Sequence, residues 1–428
     1  MQKEVVIIGG GISGLALALI LQHNNISFLL LEKNDYLGGH ARTVSVKHNN
    51  DKKFFVDTGF IVFNKQNYPH LTALFKLLNV EIQKSKMSFA SCNNTNNNIF
   101  QYSSNLKSLF SEFKNLYNIK FYKMIFDIIK FNSYSKKNFE NLPIKLTLGA
   151  YLRKLKLGDY FINYYLLPMG ACIWSMPKDE ILKFPAKNFL QFFYNHSLLS
   201  IFIKHQWYCV KQGSINYVNK IKNICEQFLI LNCNIEQINR NLDNVEITFN
   251  NTTINTKKIV FACHSNTVLE LLGNHKTPQE QQILSDIAYK NNINITHTCN
   301  TYMPTNKTVW SAWNYFNSNN DTVCLTYWAN ILQNINKKYP IFSTLNPSVN
   351  IPNNFILDKV ELSHPQFNLK AIEAQEQLKL IQGQNNTYFA GAYTRYGFHE
   401  DGILSAVNIA KQMNLNIPWE KLIKHYGK

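Results

Sequence analysis

The chain has 428 residues, of which 45% are hydrophobic, so its length and composition predict a folded protein of two or three lobes and exclude a mainly disordered one. The formal net charge is +17, from 44 basic and 27 acidic residues. This excess reflects either a Lys-rich composition or attraction to an anionic surface such as a membrane. No zinc finger, RNA-recognition signature or Arg-rich stripe accompanies it, so we expect no nucleic-acid partner.

The first forty residues predict a strand, a glycine-rich turn, a helix and a second strand. Residues 5–8 and 28–31 are short apolar runs, typical of strands that are buried on both faces. Between them, Gly9, Gly11 and Gly14 form a GxGxxG pattern that opens an apolar helix, which is the context this pattern requires. Such a turn brings bare amide groups and a helix N-terminus close to the pyrophosphate of a dinucleotide.

The residues after the second strand extend this pattern. Glu32 ends the strand at the position where an acid accepts hydrogen bonds from an adenosine ribose. Gly38 and Gly39, followed by Arg42, predict a second loop that folds back onto the dinucleotide, with the guanidinium pairing with a phosphate. Gly59 follows another strand-like run and would let the backbone pass close to a flat ring. FAD and NAD share this fingerprint, so these residues alone leave both open.

The middle of the chain has a different character. Residues 67–206 are rich in Phe, Tyr, Leu and Lys, and between residues 107 and 130 apolar side chains and lysines alternate with helical spacing. This basic amphipathic pattern predicts either a core helix of a substrate-binding lobe or a face that rests on lipid. The Asn-rich stretch 92–98 is predicted to be an exposed loop. A last buried strand at 387–390 and a helix from about residue 402 to 413 close the chain.

With these motifs in view, the sequence resembles the flavin-containing amine oxidase and phytoene desaturase superfamily. Within it, the chain is similar to bacterial NAD/FAD-binding oxidoreductases whose plant relatives are fused ahead of cyclopropane-fatty-acyl-phospholipid synthase. The stretches that carry the resemblance run nearly from end to end and read IIGGGISGLALA, LEKNDYLGGHART, VDTGFIVFNKQNYPHL, YLLPMGACIWSMP, VKQGSINYV, WSAWNYF, LTYWANILQ and FAGAYTRYGFHEDGILSAVNIA.

The resemblance implies an α/β fold. A Rossmann-like FAD-binding domain of the glutathione-reductase type would carry an inserted α+β substrate domain, in an amine-oxidase-like architecture. Residues 1–66, 207–265 and 384–428 would form the discontinuous FAD-binding domain. Residues 67–206 and 266–383 would form the substrate-binding domain.

The resemblance also implies FAD as the cofactor. We expect it to be bound non-covalently, because no cysteine lies in a suitable context for attachment. The implied contacts are Gly9, Gly11, Ser13 and Gly14 to the pyrophosphate, Glu32 to the ribose, Gly38, Gly39 and Arg42 along the phosphates or ribitol, Gly59 and Phe60 to the flavin, Ile235 to the adenine through its backbone, and Gly391, Asp401, Gly402 and Ile403 at the flavin edge. The chain departs from many members at His40, which stands where they have Arg.

Three residues before the last helix are candidate catalytic residues, because they would lie near the flavin ring. His399 is the residue type that moves protons near neutral pH, although it could also simply pack in the site. Tyr393 and Tyr396 either line the substrate path or belong to the core. His70 is a further candidate for a substrate pocket.

For the activity, the resemblance implies hydride transfer from a substrate C–H bond to the flavin N5 atom. The fusion of plant relatives suggests an unsaturated or modified fatty-acyl lipid as the substrate. Three alternatives stay open: an amine or amino-acid oxidase, a redox-neutral double-bond isomerase, and a non-catalytic flavoprotein that partners a lipid-modifying enzyme.

The expected location follows from the cysteines and the charge. The eight cysteines form no CxxC pair and no zinc-like spacing with histidine, so we expect a reducing, cytoplasmic compartment and no metal. Peripheral contact with anionic lipid at the inner face of the membrane is the alternative that the basic charge leaves open.

Overall fold

The computed structural model describes residues 2–48, 52–95, 98–103, 115, 117–200, 205–241, 243–317 and 324–424. Its α-helices, in chain order from α1 to α14, are Ile12–His23, Pro69–Leu77, Ile119–Asn138, Leu148–Lys154, Asp159–Phe161, Leu167–Trp174, Lys178–Lys183, Ala186–Asn195, Ile215–Cys225, Ser265–Leu272, Pro278–Ser285, Ala329–Leu332, Leu369–Gln377 and His399–Gln412. A π-helical turn, Ile162–Leu166, joins α5 to α6.

Nineteen strands are defined within the same ranges. In chain order from β1 to β19 they are Gln2–Ile8, Phe28–Leu31, Thr43–His48, Lys52–Asp57, Phe63–Asn64, Ile82–Ser85, Phe89–Thr95, Asn98–Ser103, Trp207–Val210, Leu229–Ile230, Ile235–Arg240, Val245–Phe249, Thr252–Phe261, Tyr289–His297, Trp313–Asn317, Cys324–Trp328, Phe342–Leu345, Ile356–Pro365 and Thr387–Phe389.

The first sheet is built around the N-terminal strand. Its strands follow the order β10-β2-β1-β13-β12-β11, and β19 pairs with the far end of β13. The strands β10, β2, β1, β13 and β19 run parallel to one another, whereas β12 is antiparallel to both β13 and β11. Because side chains alternate along β1, Val5 and Ile7 enter the core beneath α1, and Val6 and Ile8 enter the core on the other face. This sheet with helices on its face is the predicted Rossmann-like arrangement.

The second sheet is mixed and supports a helical lobe. Its strands follow the order β18-β14-β17-β16-β15-β7-β8, with β15 and β7 parallel. Tyr315, Leu325 and Leu345 from this sheet share one buried cluster with the aromatic residues of helices α3 to α8. Sheet and helices together form the predicted α+β unit. The domain boundaries given above stay a prediction.

Two local expectations differ from the structure. In the Asn-rich stretch, residues 92–95 and 98 are not a loop, because they belong to β7 and β8, which pair as antiparallel strands. Asn has low strand propensity, but pairing of β7 with β15 supplies hydrogen bonds that local propensity does not reflect. The basic amphipathic pattern between residues 107 and 130 is described only in part, because residues 107–114 and 116 lie outside the described residues.

One buried ion pair ties the first sheet to a neighbouring helix. Arg240, at the end of β11, forms a bidentate pair with Glu280 of α11, at distances of 2.6 and 2.8 Å. The two side chains are only 4% and 1% exposed. Glu280 also completes a capping box with Thr277 at the start of α11.

We expect Arg240→Met to lower the free energy of unfolding by about 3–5 kcal/mol, because it leaves the Glu280 carboxylate buried without its counter-ion. Urea unfolding of the variant measures this change. The exposed pair of Lys211 and Glu81 provides the control, because Lys211→Met should cost less than about 1 kcal/mol. Equal effects of the two substitutions would contradict the argument.

Candidate functional site

The glycine turn joins β1 to α1 at the carboxyl edge of the first sheet. Gly14 touches the turn directly, since a Cβ placed on it would lie 1.9 Å from the carbonyl oxygen of Gly9. A Cβ on Gly11, in contrast, meets no heavy atom within 4 Å. Gly11 is also the N-cap of α1 and offers no side-chain cap to it. The first amides of α1 therefore face open space, which suits an anion.

Glu32 holds the turn from the end of β2. One of its carboxylate oxygens accepts a hydrogen bond of 2.6 Å from the Gly10 amide, and the other accepts bonds from Asn34. The side chain is 7% exposed. The segment between β10 and β11 lies alongside, since the Cys233 amide donates to the Glu32 carbonyl. Ile235 follows two residues later at the start of β11, so it lies on the segment next to Glu32; the ribose and adenine contacts of the two residues stay predictions.

The second glycine pair folds back onto the first turn, as the spacing predicts. The Gly38 amide donates to the Gly10 carbonyl at 2.8 Å, and a Cβ on Gly39 would lie 3.3 Å from the Gly11 Cα. Arg42 has a different partner from the predicted phosphate: its guanidinium forms a bidentate pair with Asp358 of β18, at 2.7 and 2.9 Å. A phosphate contact of Arg42 stays a prediction, and the pair itself links the loop before β3 to β18 of the second sheet.

The segment around Gly59 is held by a buried polar cluster. Asp57 accepts hydrogen bonds from Thr43 and from the amide and hydroxyl of Ser214, and its other oxygen accepts from Gln333. Burial raises the pKa of the Asp57 carboxyl to about 6. A Cβ on Gly59 would lie 2.3 Å from the His40 carbonyl oxygen. The close approach of the Gly59 and His40 segments therefore requires a glycine at position 59, independently of any contact with a flavin.

The N-terminal turn of the last long helix, α14, packs against the N-terminal turn of α1. A Cβ on Gly402 would lie 2.8 Å from Ile12 Cγ2 and 3.0 Å from the Ser13 hydroxyl, so the first turns of α14 and α1 are in contact. Asp401 accepts from the amides of Tyr396 and Phe398 and thereby shapes the turn before α14. Burial raises its pKa to about 6. Ile403 is fully buried beneath this contact. Two helix N-termini therefore meet at one place.

The three candidate catalytic residues have different surroundings. Tyr393 is 2% exposed, packs against Gly391, and its hydroxyl has no partner among the described residues. Tyr396 is partly buried, and its ring lies 5.1 Å from the Arg395 guanidinium. Their catalytic roles stay predictions.

His399 stacks on Phe60 with ring centroids 3.9 Å apart, and its Nε2 shares a hydrogen bond of 2.6 Å with the Tyr217 hydroxyl. Burial lowers the pKa of His399 to about 3, so it is neutral at pH 7. This differs from the expectation that it titrates near neutrality. A neutral imidazole in this position can still accept or share a proton with Tyr217.

A cluster of three histidines lies beside the glycine turns and was not predicted. His40 follows Gly39, His264 follows β13, and His364 lies near the end of β18; the His40 ring is 5.9 Å from His264 and 5.2 Å from His364. Burial lowers the pKa of all three, to about 3 for His264 and His364. No described group of His, Cys, Asp or Glu has the arrangement of a metal site. The three rings therefore form a cluster of polar, neutral side chains.

A cavity of about 340 Å³ opens between the start of α14, the start of α2 and the end of α8. Its walls are mixed: they carry the aromatic residues Tyr68, Phe192, His196, Tyr396 and Phe398 and the amide side chains of Gln66, Asn67 and Asn195. The predicted pocket residue His70 lies on the same wall.

The charged groups at the rim of this cavity already have hydrogen-bond or ion-pair partners within the chain. Glu400 accepts from the amides of His70 and Leu71 at 2.8 and 2.9 Å, so it caps α2. Burial raises the pKa of Glu400 to about 8. Arg395, about half exposed, lies 3.7 Å from Asp401. The cavity therefore combines aromatic and amide side chains, with one cation at its rim.

Comparison with known proteins identifies the fold. Residues 7–78 match the family described as the NAD(P)-binding Rossmann-like domain. The flavin-containing amine oxidase A of Equus caballus is 46% identical over 56 residues, which is 13% of this chain and 10% of that protein. Beta-cyclopiazonate dehydrogenase of Aspergillus oryzae is 34% identical over 68 residues, 16% of this chain and 15% of that protein. The chain thus spans only a small part of these curated relatives.

Solved structures match over almost the whole chain. A CLA-producing fatty acid isomerase from P. acnes has a TM-score of 0.68 at 14% identity, covering 96% of this chain and 98% of that one. Cyclohexylamine oxidase from Brevibacterium oxydans IH-35A has a TM-score of 0.67 at 13% identity, covering 96% and 99%. The chain thus has the fold of these enzymes, and its N-terminal segment is similar to flavin-containing amine oxidases. This confirms the predicted fold class.

The residues present fit the FAD of the flavin amine oxidase superfamily. Gly11 faces open space, the first amides of α1 lack a side-chain cap, and the buried Tyr393 hydroxyl lacks a partner among the described residues. Each of these would be satisfied by a bound dinucleotide. The amides of Ser13 and Gly14 would hold the pyrophosphate, and Gly402 and Ile403 would approach the flavin edge.

Sequence reasoning missed the cluster of three histidines and the capping of α2 by Glu400. Glu400 gave a detectable signal, since it immediately precedes the predicted flavin-edge Asp401, but its partners at residues 70 and 71 are far away in sequence. No described helix combines the length and the apolar composition that crossing a bilayer requires.

Proposed function

We propose that the chain is an FAD-dependent oxidoreductase that oxidises an apolar, acyl-type substrate. When bound, the flavin supplies a hydride acceptor at its N5 atom. The observation that supports this most is the contact between the first turns of α1 and α14, where Gly402 lies against Ile12 and Ser13. One helix N-terminus would face the pyrophosphate, and the other would face the flavin edge that gains negative charge on reduction.

The cavity beside α14 supports an apolar substrate over an amine. The carboxylates of the cavity already have partners, because the Glu400 oxygens accept from two backbone amides, and Asp401 accepts from two more and faces Arg395. The rings of Tyr68, Phe192 and Phe398 also line the cavity. These rings favour a hydrocarbon chain, whose burial is stabilised in proportion to its apolar area. Arg395 at the rim suits an anionic headgroup.

The experiment is anaerobic mixing of the purified flavoprotein with a lipid extract. We expect loss of the oxidised-flavin absorbance near about 450 nm, and mass spectrometry of the lipids should then reveal the oxidised product. Polyamines and aromatic amines serve as the comparison. Reduction by amines, with hydrogen peroxide released in air, would favour the amine oxidase alternative. Changed double-bond positions without net flavin reduction would indicate an isomerase, as in the fatty acid isomerase of P. acnes. Flavin that no substrate reduces would indicate a non-catalytic flavoprotein.

We expect His399→Phe to bind flavin but to slow substrate-dependent flavin reduction by about 100-fold, a typical loss for a proton-handling group. The phenyl ring keeps the stacking on Phe60 and removes only the ring nitrogens. Stopped-flow absorbance under anaerobic conditions measures the rate. Tyr217→Phe is the matched control, because it removes the same hydrogen bond from the other side. An unchanged rate in His399→Phe would leave this residue with a packing role only.

A further inference from the structure

The outer face of helix α3 carries large apolar side chains that are exposed to a large extent. Ile119 is 84% exposed, Tyr122 47%, Phe126 64% and Ile129 45%. They recur at positions i, i+3, i+7 and i+10, which places them in one stripe along the helix. The stripe is about 15 Å long, at 1.5 Å per residue. We call it the α3 ridge.

The opposite face of the same helix is already used for packing. Phe121, Met124 and Phe131 are fully buried in the cluster that fills the helical lobe, and Ser135 bonds to Tyr151 beneath them. The helix is therefore fixed in orientation by its inner face, so the exposure of the α3 ridge is not a consequence of poor packing. Contiguous exposed apolar surface of this kind marks an interaction site.

The charges around the α3 ridge indicate what covers it. The helix Ile119–Asn138 contains five lysines and a single acid, Asp127. Asp127 is 5% exposed and accepts from the Gly158 amide, so its carboxylate faces inward. The lysines, at 120, 123, 130, 136 and 137, are all exposed. The outer surface of α3 thus combines apolar residues with positive charge and presents no acid of its own.

We propose that the α3 ridge docks the protein on the surface of an anionic lipid bilayer, with the helix lying in the plane of the interface. A convex stripe of Ile, Phe and Tyr bordered by lysines is the arrangement by which amphipathic helices enter the headgroup region of a membrane. Two copies of the chain would bring five lysines of each helix against five of the other, which opposes self-association through this face.

This docking would bring the substrate lobe to the lipid. The inner face of α3 belongs to the same buried cluster as Phe192, whose ring forms part of the cavity wall. The inference concerns binding and does not depend on flavin or on turnover, so it can fail while the proposed oxidoreductase function holds, and the reverse is equally possible.

The test is co-sedimentation of the full-length protein with vesicles of phosphatidylglycerol or of phosphatidylcholine. We expect binding to the anionic vesicles at low salt, at least about 10-fold weaker binding to the neutral ones, and weaker binding to the anionic vesicles at high salt. Phe126→Gln combined with Ile129→Gln should lower the affinity for anionic vesicles at least about 10-fold. Lys123→Gln combined with Lys137→Gln should also lower the affinity for anionic vesicles. The residual binding to neutral vesicles should stay unchanged in this variant.

Matched controls come from exposed residues elsewhere in the chain. Val349→Gln with Leu380→Gln removes comparably exposed apolar side chains, and Lys370→Gln with Lys379→Gln removes two exposed lysines. Both controls should bind vesicles like the unaltered protein, and circular dichroism verifies that every variant folds. Absence of binding to anionic vesicles at low salt would overturn the proposal. So would an α3 ridge variant that binds normally, or one that instead abolishes a dimer in analytical ultracentrifugation.

Discussion

Gly11→Ala should leave the flavin-free protein folded and yet lower its affinity for FAD at least about 100-fold. Gly11 has ordinary backbone angles, φ −71° and ψ −177°, and its added methyl group meets no protein atom. The free energy of unfolding should therefore change by less than about 1 kcal/mol. The methyl group would occupy the space of the pyrophosphate, and losing two hydrogen bonds to a charged group, at about 1.5–3 kcal/mol each, accounts for the affinity loss. Flavin fluorescence titration measures it.

Gly14→Ala is the matched comparison, three residues along the same turn. Alanine in a helix normally stabilises by about 1 kcal/mol relative to glycine. Here the methyl group would lie 1.9 Å from the Gly9 carbonyl oxygen, so the turn must open, and both stability and flavin binding should be lost. A Gly11→Ala protein that binds flavin normally would show that the dinucleotide does not cross this turn.

The second large effect is loss of stability in mild acid. Five histidines, at positions 196, 264, 297, 364 and 399, have a pKa lowered to about 3 or 4, chiefly by burial. They are neutral in the folded protein at pH 5, whereas in the unfolded chain, with a pKa near 6.5, they bind protons. Unfolding thus takes up protons below pH 6.5, and each histidine lowers stability by about 2 kcal/mol at pH 5.

Three buried acids act in the opposite direction. The pKa of Asp57 and Asp401 is raised to about 6 and that of Glu400 to about 8, so the folded state binds protons more readily than the unfolded one. Their contribution is fully present below the unfolded pKa and is lost as pH rises through these values. Over the interval from pH 7 to 5 they offset about half of the histidine effect. We therefore expect the free energy of unfolding to fall by several kcal/mol.

Urea unfolding at pH 7, 6 and 5 measures this dependence, and one variant isolates it. His264→Phe keeps the ring that stacks on Tyr289, with centroids 4.5 Å apart, but removes a titrating group. Its stability should fall less steeply below pH 6.5. The exposed His23, at the end of α1, provides the control, because His23→Gln should follow the unaltered protein. A stability that is flat from pH 7 to 5 would contradict the assignment of buried, neutral histidines.

The N-terminal unit could be predicted because its signals are local. The strand at 5–8, the glycines of the turn and Glu32 lie within one short segment, and each has a geometric meaning that does not depend on distant residues. The same holds for the contact of Gly38 and Gly39 with the first turn. The second sheet was harder to predict, because the Asn-rich strand β7 is stabilised by pairing with β15, more than two hundred residues away in sequence.

The site beyond the dinucleotide cradle could not be derived from spacing. His40, His264 and His364 come from three distant segments, and only the pairing of β1 with β13 and the position of β18 bring their rings together. Arg42 was assigned to a phosphate from its place in the motif, whereas its bidentate partner Asp358 belongs to the other sheet. Burial, which sets the pKa of His399, is a property of the assembled fold.

The strand order of the first sheet has a consequence for synthesis of the chain. Strand β1 pairs with β13, and β13 with β19, so β1 is synthesised long before partners that lie about 250 and 380 residues later in the sequence. At about 5–20 residues per second, that delay lasts tens of seconds. Throughout it, the apolar β1 and α1 present unpaired edges and faces to the nascent-chain environment. Translation speed and holdase chaperones should therefore govern the yield of native protein, and a stop codon before β19 should release a chain that aggregates.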